Sequence, residues 1–514
     1  KDFIMINNTD ALYPTLTKFP YPKVGEDNAL AKVGVVNLTN QKTTWTQLPN
    51  NSRNMYIPRM NWSGNNNEIL VQHVTRKQNT NHLYLANAVS GKVKLVMTEQ
   101  EKNFLDFFDD AKWLDKGNSF IWTSERSGWR HLYRISRDGK TVINLTEGDF
   151  DITEIKAVDE KSGWLYFIAS PKNVAQRYLY RSKLDGSLSN QRLTPEAFAG
   201  TNSYQMSADG QWAIHSHSTF TQPTQKRLVK IEGHQTKHMM MDNNVLMDKL
   251  AKLPKTDHEF FQVNAQDGVV LDGYIIRPAD FDPKKKYPII FYVYGESWGQ
   301  TVNDSWRGSG AMWDQMLTEQ GYIIASVDNR GTRTPKGREW RKSIYGAVGV
   351  LSSRDQSDAL KAMAKRWDYI DTDNVAIWGH SGGGSMTLNM LFRYPDQYQV
   401  GISLAPVPDQ RLYDSIYQER YSGLLEDFAE GYKQGSPITH AKNLKGKLLL
   451  IHGTGDDNVH YQGSERLINE LVKHNRQFDF MSYPNRSHSL REGKGTTLHL
   501  KTMMTNYFNT HLKL

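Results

Sequence analysis

Val375-Ala376-Ile377-Trp378-Gly379-His380-Ser381-Gly382-Gly383-Gly384 is an apolar run that stops abruptly at a cluster of glycines around one serine. Met386, Leu388, Met390 and Leu391 follow, so the stretch predicts a strand, a sharp turn and a helix. Gly379-His380-Ser381-Gly382-Gly383 is a Gly-x-Ser-x-Gly pattern, the nucleophile elbow. Each glycine has a physical reason to be there. Side chains flanking the serine would collide with the neighbouring strand and helix. The amide of Gly382 is then left free to donate to an oxyanion.

Two later stretches extend the pattern. Lys447 to Gly453 is a short apolar run, and Asp456 and Asp457 follow it directly. Phe478 to Tyr483 predicts another strand, with His488 in the loop after it. Serine, carboxylate and histidine thus occur in the order Ser…Asp…His, each just past a predicted strand, which is the α/β-hydrolase order. In that arrangement His488 is the general base, and an aspartate fixes its tautomer. Upstream, residues 260–276 read as a hairpin turning at Asp267-Gly268, and Tyr287 to Tyr294 and Tyr322 to Val327 as buried strands. A helix face at Ala359, Leu360, Met363 and Ala364 leads to the elbow strand. Val400 to Leu404 is the next strand, and Leu467, Ile468, Leu471 and Val472 mark a helix between the aspartate and histidine segments. Alternating strands and helices predict a mostly parallel sheet with its active groups at the strands' carboxyl ends.

The first half reads differently. Leu83-Tyr84-Leu85, Leu132-Tyr133-Arg134 and Leu179-Tyr180-Arg181 are followed by the turns Ser90-Gly91, Asp138-Gly139 and Asp185-Gly186, and Val35-Val36 and Leu228-Val229 fill the same slot at the ends. The anchors 36, 84, 133, 180 and 229 lie 48, 49, 47 and 49 residues apart, a period that predicts propeller blades of about four strands. Met239 to Lys255 breaks the repeat. The expected division is therefore an all-β propeller at 1–255, with about five blade repeats, and an α/β-hydrolase catalytic domain at 256–514.

Composition limits the function classes. With 514 residues, two or more domains are expected. No apolar run approaches the 18 or so residues of a membrane span. Cysteine is absent, which excludes disulfides and thiolate metal sites. Net charge is +8, but both signs are interspersed, and the densest basic run, Lys284-Lys285-Lys286, reads as a solvated loop and not as a nucleic-acid patch. No chelating motif occurs, so neither metal nor cofactor is expected. The chain starts at Lys1 without an initiator Met or an apolar leader, as expected of a processed chain or of part of a longer protein.

With these residues in view, the chain resembles the prolyl oligopeptidase superfamily, specifically its dipeptidyl peptidase IV branch, along essentially its whole length. The most specific segments are His452 to His460, Ala405-Pro406-Val407, Tyr413 to Tyr421 and Phe19-Pro20-Tyr21-Pro22-Lys23. The resemblance implies a propeller capping an α/β-hydrolase domain. It implies a serine exopeptidase that releases Xaa-Pro or Xaa-Ala dipeptides from a free N-terminus. Position by position, it implies Ser381, Asp456 and His488 as the triad, with Asp456 rather than Asp457 as the acid. Tyr294 and Gly382 form the oxyanion hole, and Asn458 holds a substrate carbonyl. Val407, Tyr413, Tyr417 and Val459 wall an apolar slot for the pyrrolidine ring of a penultimate proline. It also implies export to the periplasm or beyond. A homodimer is expected, built from an arm at Tyr13 to Leu30, carrying Leu16, Phe19 and Tyr21, and the helix near Leu498 to Leu512.

Three departures stand out. Gly382 replaces the aromatic residue that many relatives carry after the nucleophile, which thins the wall of the site. Gln410 stands where mammalian members have an aromatic residue in the proline pocket. The paired glutamates that hold the substrate amine are absent; Glu99 and Glu101 read as an exposed acidic turn and no replacement. The chain is accordingly expected to be part of a longer enzyme. Two alternatives remain open: an oligopeptidase, acylaminoacyl peptidase or esterase on the same scaffold, and a propeller interaction module with an inactive hydrolase domain.

Overall fold

Tyr84, Tyr133, Tyr180 and Val229 each lie on the next-to-last strand of an antiparallel sheet. The computed structural model, which describes residues 1–49, 53–107 and 111–513, holds four such sheets in succession. One of five strands runs from Met55–Tyr56 to Val93–Gln100. Three of four strands run from Lys112–Leu114 to Val142–Asn144, Ile152–Asp159 to Gln191–Arg192, and Thr201–Met206 to Gln235–Met241. Among the described residues Val36, the first anchor, lies in a pair of strands, Gly34–Val36 with Thr43–Trp45.

Each sheet packs its face on the next, as propeller blades do. Leu83 and Leu85 meet Phe120 and Trp122, Leu132 meets Leu165 and Phe167, and Leu179 meets Tyr204 and Val229. The recurring Xaa-Gly turn has a steric cause. Gly91 and Gly139 have φ of 72° and 76°. A Cβ at either would stand 2.2 Å from a carbonyl oxygen on the outer strand of the preceding sheet, that of Trp45 or Val96. At these two turns the blade leans on its predecessor's backbone; at Gly186 the nearest such oxygen would lie 3.6 Å away.

Beyond the helix Asn244–Leu250 the chain builds one eight-stranded sheet. Its strands are β1 (Asp257–Asn264), β2 (Val270–Arg277), β3 (Tyr287–Tyr292), β4 (Ile323–Asp328), β5 (Ile370–His380), β6 (Val400–Leu404), β7 (Lys447–Gly453) and β8 (Asp479–Tyr483). Their order is β1-β2-β4-β3-β5-β6-β7-β8, with only β1/β2 and β2/β4 antiparallel. The apolar runs are continuous because both faces are covered. Ile289, Phe291, Val375, Ile377, Leu448 and Leu450 face the helices Val350–Arg366, Gly382–Arg393 and Gln462–Lys473. The residues between them, Ile290, Ala376, Leu449 and Ile451, face Ser309–Glu319 and Thr496–His511. Trp313 Nε1 donates to Thr505 Oγ1 at 3.0 Å and ties the last two helices together.

The blades are bolted to this sheet by buried charge. On the short helix Gly337–Lys342, Arg341 pairs with Asp151 and Glu125. Lys342 Nζ lies 2.8 Å from Glu125 and 3.0 Å from Glu101. The Gly337 amide donates to Asp151 at 2.8 Å. Burial opposes the charge on Glu125, but Arg341, Lys342 and Arg130 outweigh it and hold its carboxyl below the usual range. A second clamp joins Arg76 to Glu419, two nitrogens on two oxygens at 2.8 and 2.9 Å.

Breaking such a pair leaves an uncompensated buried charge. Arg341→Met is expected to cost about 3–5 kcal/mol in urea unfolding at neutral pH. Glu125 has a depressed folded-state pKa, so its contribution is present above the ordinary carboxylate range. It is lost as pH falls through and below that range. The cost of the substitution should shrink accordingly at acid pH.

Candidate active site

β5 ends at His380, and the helix Gly382–Arg393 begins one residue past Ser381. Ser381 has φ 61° and ψ −121°, a conformation that costs about 1–3 kcal/mol and is held only where packing demands it. The glycines permit that packing. A Cβ at Gly379 would sit 2.4 Å from Val293 O, one at Gly383 2.2 Å from the same atom, and one at Gly384 2.5 Å from Leu404 O. The Ser381 amide donates to Leu404 O at 2.9 Å. Gly382 opens the helix, where the first amides have no partner within it. Those amides and the helix dipole favour negative charge at this point.

Asp456 lies in the loop after β7 and is buried. Its Oδ1 accepts from the amides of Asn458 and Val459 at 3.0 and 2.8 Å. Its Oδ2 accepts from His488 Nδ1 at 2.7 Å and from His452 Nε2 at 3.1 Å. Burial works against this carboxylate, but the bonds from His452 and His488 prevail and keep it well below the usual range. Asp457 is exposed. The carboxylate that reaches His488 is therefore that of Asp456. With Nδ1 donating, His488 Nε2 is left as a free acceptor.

No hydrogen bond joins Ser381 Oγ to the His488 ring among the described residues. The two loops are held together by His380. Its Nε2 donates to His488 O at 2.6 Å, with the rings 4.6 Å apart. Burial and the neighbouring His488 push His380 down to about 4, so it stays neutral. In resting enzymes the nucleophile–base bond often closes only with substrate.

Tyr294 follows β3, with its Cα 3.2 Å from where a Gly383 Cβ would point. Its hydroxyl makes no hydrogen bond among the described residues. Burial, and then the charge of Glu296, raise its pKa, so it remains a neutral donor. Val407 N donates to Ser385 Oγ on the elbow helix at 2.9 Å. Tyr413 OH donates to Asn458 Oδ1 at 2.8 Å, and Tyr413 and Tyr417 meet edge to face at 5.3 Å. These contacts bring Val407, Tyr413, Asn458 and Val459 around the Asp456 loop and the elbow helix, with Tyr417 alongside Tyr413. Gln410 is buried with its amide spent on Val348 O at 2.9 Å. Near this wall lies a cavity of about 750 Å³ between blades and catalytic loops, lined in part by Trp298, Arg333, Ile416 and Arg420.

The structure corrects one sequence expectation and refines another. Glu99 and Glu101 are not an exposed acidic turn. Glu99 ends a strand and pairs with Arg126, and Glu101 pairs with Lys342 and Arg338 across the blade contact. In the arm, Leu12, Tyr13 and Leu16 are exposed. Phe3 instead stacks on His460 at 3.5 Å, and Tyr21 OH donates to Asn458 O at 2.9 Å, so this segment also packs on its own chain's catalytic loop.

Sequence reasoning missed three groups: His380, His452 and Glu296. The first two stand inside motifs already quoted, at i−1 to the serine and i−4 to the aspartate. Glu296 had a fainter signal, an acid two residues after Tyr294. Among the described residues no group of three or more His, Asp or Glu could hold a metal ion, and no helix is long and apolar enough to cross a membrane.

Comparison with known proteins places this geometry. Residues 1–224 match the family model for the dipeptidyl peptidase IV N-terminal region, and residues 311–514 match that of the prolyl oligopeptidase family. A dipeptidyl peptidase 4 from Trichophyton rubrum is 30% identical over 96% of this chain and 64% of its own length. One from Arthroderma otae is 32% identical over 90% of this chain and 60% of its own. The chain thus spans less than two thirds of these curated relatives. The crystal structure of Porphyromonas gingivalis dipeptidyl peptidase 4 superposes with a TM-score of 0.94 at 31% identity, covering 100% of this chain and 71% of that one.

Asp456→Asn is expected to destabilise the fold by about 1–3 kcal/mol in urea unfolding, because an amide cannot accept all four of these bonds. Asp457→Asn should stay within about 0.5 kcal/mol. In proton NMR, the downfield imidazole N–H of His488 should vanish in the first variant and persist in the second.

Proposed function

The chain belongs to the prolyl oligopeptidase family, in its dipeptidyl peptidase IV branch, and on that premise we propose that it is a serine exopeptidase releasing N-terminal Xaa-Pro or Xaa-Ala dipeptides. The observation that carries the reading is the Asp456–His488 bond of 2.7 Å, tied by His380 to a serine in a strained elbow. Ser381 Oγ attacks the scissile carbonyl while His488 Nε2 takes its proton. Asp456 holds the ring in the tautomer that leaves Nε2 free and stabilises the imidazolium as it forms. The Tyr294 hydroxyl and the Gly382 amide receive the developing oxyanion. His488 returns its proton to the leaving amine, and water releases the dipeptide from the acyl-enzyme by the same steps in reverse order.

Val407, Tyr413, Tyr417 and Val459 wall the slot for the penultimate residue, a shape that suits a ring with no donor. The Asn458 Oδ1 is occupied by Tyr413, which leaves its amide nitrogen to hold a substrate carbonyl. The proposal extends to export to the periplasm or beyond, on the family resemblance. It extends also to a homodimer. The hairpin Asp2–Asn7/Thr15–Pro20 exposes Ile4, Ile6, Leu12, Tyr13 and Leu16, an apolar edge that a partner would cover, and Leu498 is exposed on the C-terminal helix.

Ser381→Ala is expected to abolish dipeptide release with unfolding unchanged; a tenth of the activity remaining would refute the nucleophile. Tyr294→Phe should lower kcat by about two to three orders of magnitude and leave KM near normal, because the hydroxyl binds charge that exists only in the transition state. Steady-state kinetics on a Gly-Pro chromogenic amide reads both. Cleavage inside longer peptides in place of dipeptide release would favour the oligopeptidase reading. Sedimentation showing only monomer at micromolar concentration would count against the dimer.

A further inference from the structure

Glu296 lies in the candidate active site with no assigned role. An ideal Cβ on Gly382, the residue after the nucleophile, would meet its Oε2 at 2.8 Å, its Cδ at 2.9 Å and its Cγ at 3.1 Å. The carboxylate therefore fills the space toward which a side chain at position 382 would project. A side chain at 382 and the acid in its present place exclude each other: one would have to move for the other. Its one side-chain hydrogen bond among the described residues is a long one, from Tyr417 OH at 3.4 Å. No cation pairs with it among the described residues. Its side chain remains partly exposed, so it is set deep but not sealed.

A carboxylate so placed is unsatisfied. It has about four lone-pair sites and one weak donor. The titratable groups that face it are tyrosines: Tyr294 on its own segment, and Tyr413 and Tyr417 across the slot, whose phenols its charge helps push up. The elbow helix brings it Gly382. Among the described residues no charged group neutralises it, and it stands against the residue that follows the nucleophile.

We propose that Glu296 is a specificity-determining residue whose carboxylate takes a positively charged nitrogen of the substrate beside Ser381. The inference rests on the dipeptidyl peptidase reading of the site. Two substrate groups carry that chemistry, the N-terminal ammonium and a basic side chain on the penultimate residue. Either would supply the missing counter-charge, and an ordinary hydrocarbon side chain would not. The electrostatics agree with the geometry. Burial pushes the Glu296 carboxyl up to about 7, with the Tyr417 hydroxyl pulling it back. An arriving cation favours the ionised form. The preference for cationic over neutral substrates should therefore grow as pH rises through about 7.

The test uses the purified protein and four chromogenic amides at about pH 7, below the usual α-amino range. Gly-Lys against Gly-Ala p-nitroanilide reads the side chain at the penultimate position. Gly-Pro against N-acetyl-Gly-Pro p-nitroanilide reads the ammonium. Glu296→Gln keeps the shape and should reduce one of the two kcat/KM ratios by about 10- to 100-fold, the worth of one charge-assisted hydrogen bond. Glu296→Asp should restore part of it. Collapse of the first ratio assigns the partner to a basic side chain, and collapse of the second assigns it to the N-terminus. Both ratios unchanged would overturn the proposal. Should the variant not fold, both ratios of the unaltered protein decide across pH. Taking a ratio cancels the ionisation of His488, so a rise of either through about pH 7 sustains the role and two flat profiles overturn it. Failure of the underlying reading looks different: the unaltered protein would then release no dipeptide from any of the four.

Discussion

Ser381 holds φ 61° and ψ −121°, a backbone conformation that a non-glycine residue keeps only when its surroundings impose it. Here the imposing surroundings are two carbonyl oxygens. Val293 O presses on Gly379 and Gly383, and Leu404 O presses on Gly384 while accepting the Ser381 amide. The elbow is thus wedged between the chain leaving β3 and the end of β6. The register of three neighbouring strands is transmitted directly to the serine. Its rotation outward, the free amides behind it and the start of the helix are one event and not three.

The acid and the histidine depend on the same sheet. β7 and β8 end side by side, and their loops meet through Asp456, which gathers four donors. A carboxylate with that many partners can be buried and still stay charged. The blades are placed by charge as well. Arg341 and Lys342 reach from the short helix Gly337–Lys342 into Glu125, Asp151 and Glu101, and Arg76 reaches from a blade to Glu419 beside the tyrosine slot. Burying so many ions costs desolvation, and only mutual pairing offsets it. The geometry between blades and catalytic loops is correspondingly specific. Between the same elements lies the cavity of about 750 Å³ beside Trp298 and Arg333.

Gly382 and Glu296 have to be read together. Glycine after the nucleophile looks, in isolation, like a thinned wall. In space the wall is rebuilt from the other side by an acid two residues past Tyr294. The site therefore has an apolar, aromatic flank at Tyr413 and Tyr417 and an anionic one at Glu296. Gln410 is buried, with its amide nitrogen committed to Val348 O.

The sequence by itself determined the elements and their order. Apolar runs ending in glycine are legible as buried strands, and the 47–49-residue spacing is legible as blades, because both follow from local periodicity and turn sterics. It also singled out Ser381, Asp456 and His488, since each stands at the end of such a run. The tertiary structure alone decided what touches what. That Gly34–Val36 pairs with Thr43–Trp45 among the described residues depends on which strands find partners. That Glu99 and Glu101 are spent on Arg126 and Lys342 depends on charges brought in by the next sheet and by a helix more than 200 residues away. The arm's seat on His460 and the meeting of Glu296 with Gly382 are likewise long-range packing. Local patterns record the backbone's own preferences. A pairing across 86 residues, such as that of Glu296 with Gly382, leaves no periodic trace in the chain and exists only once the sheet has closed the distance.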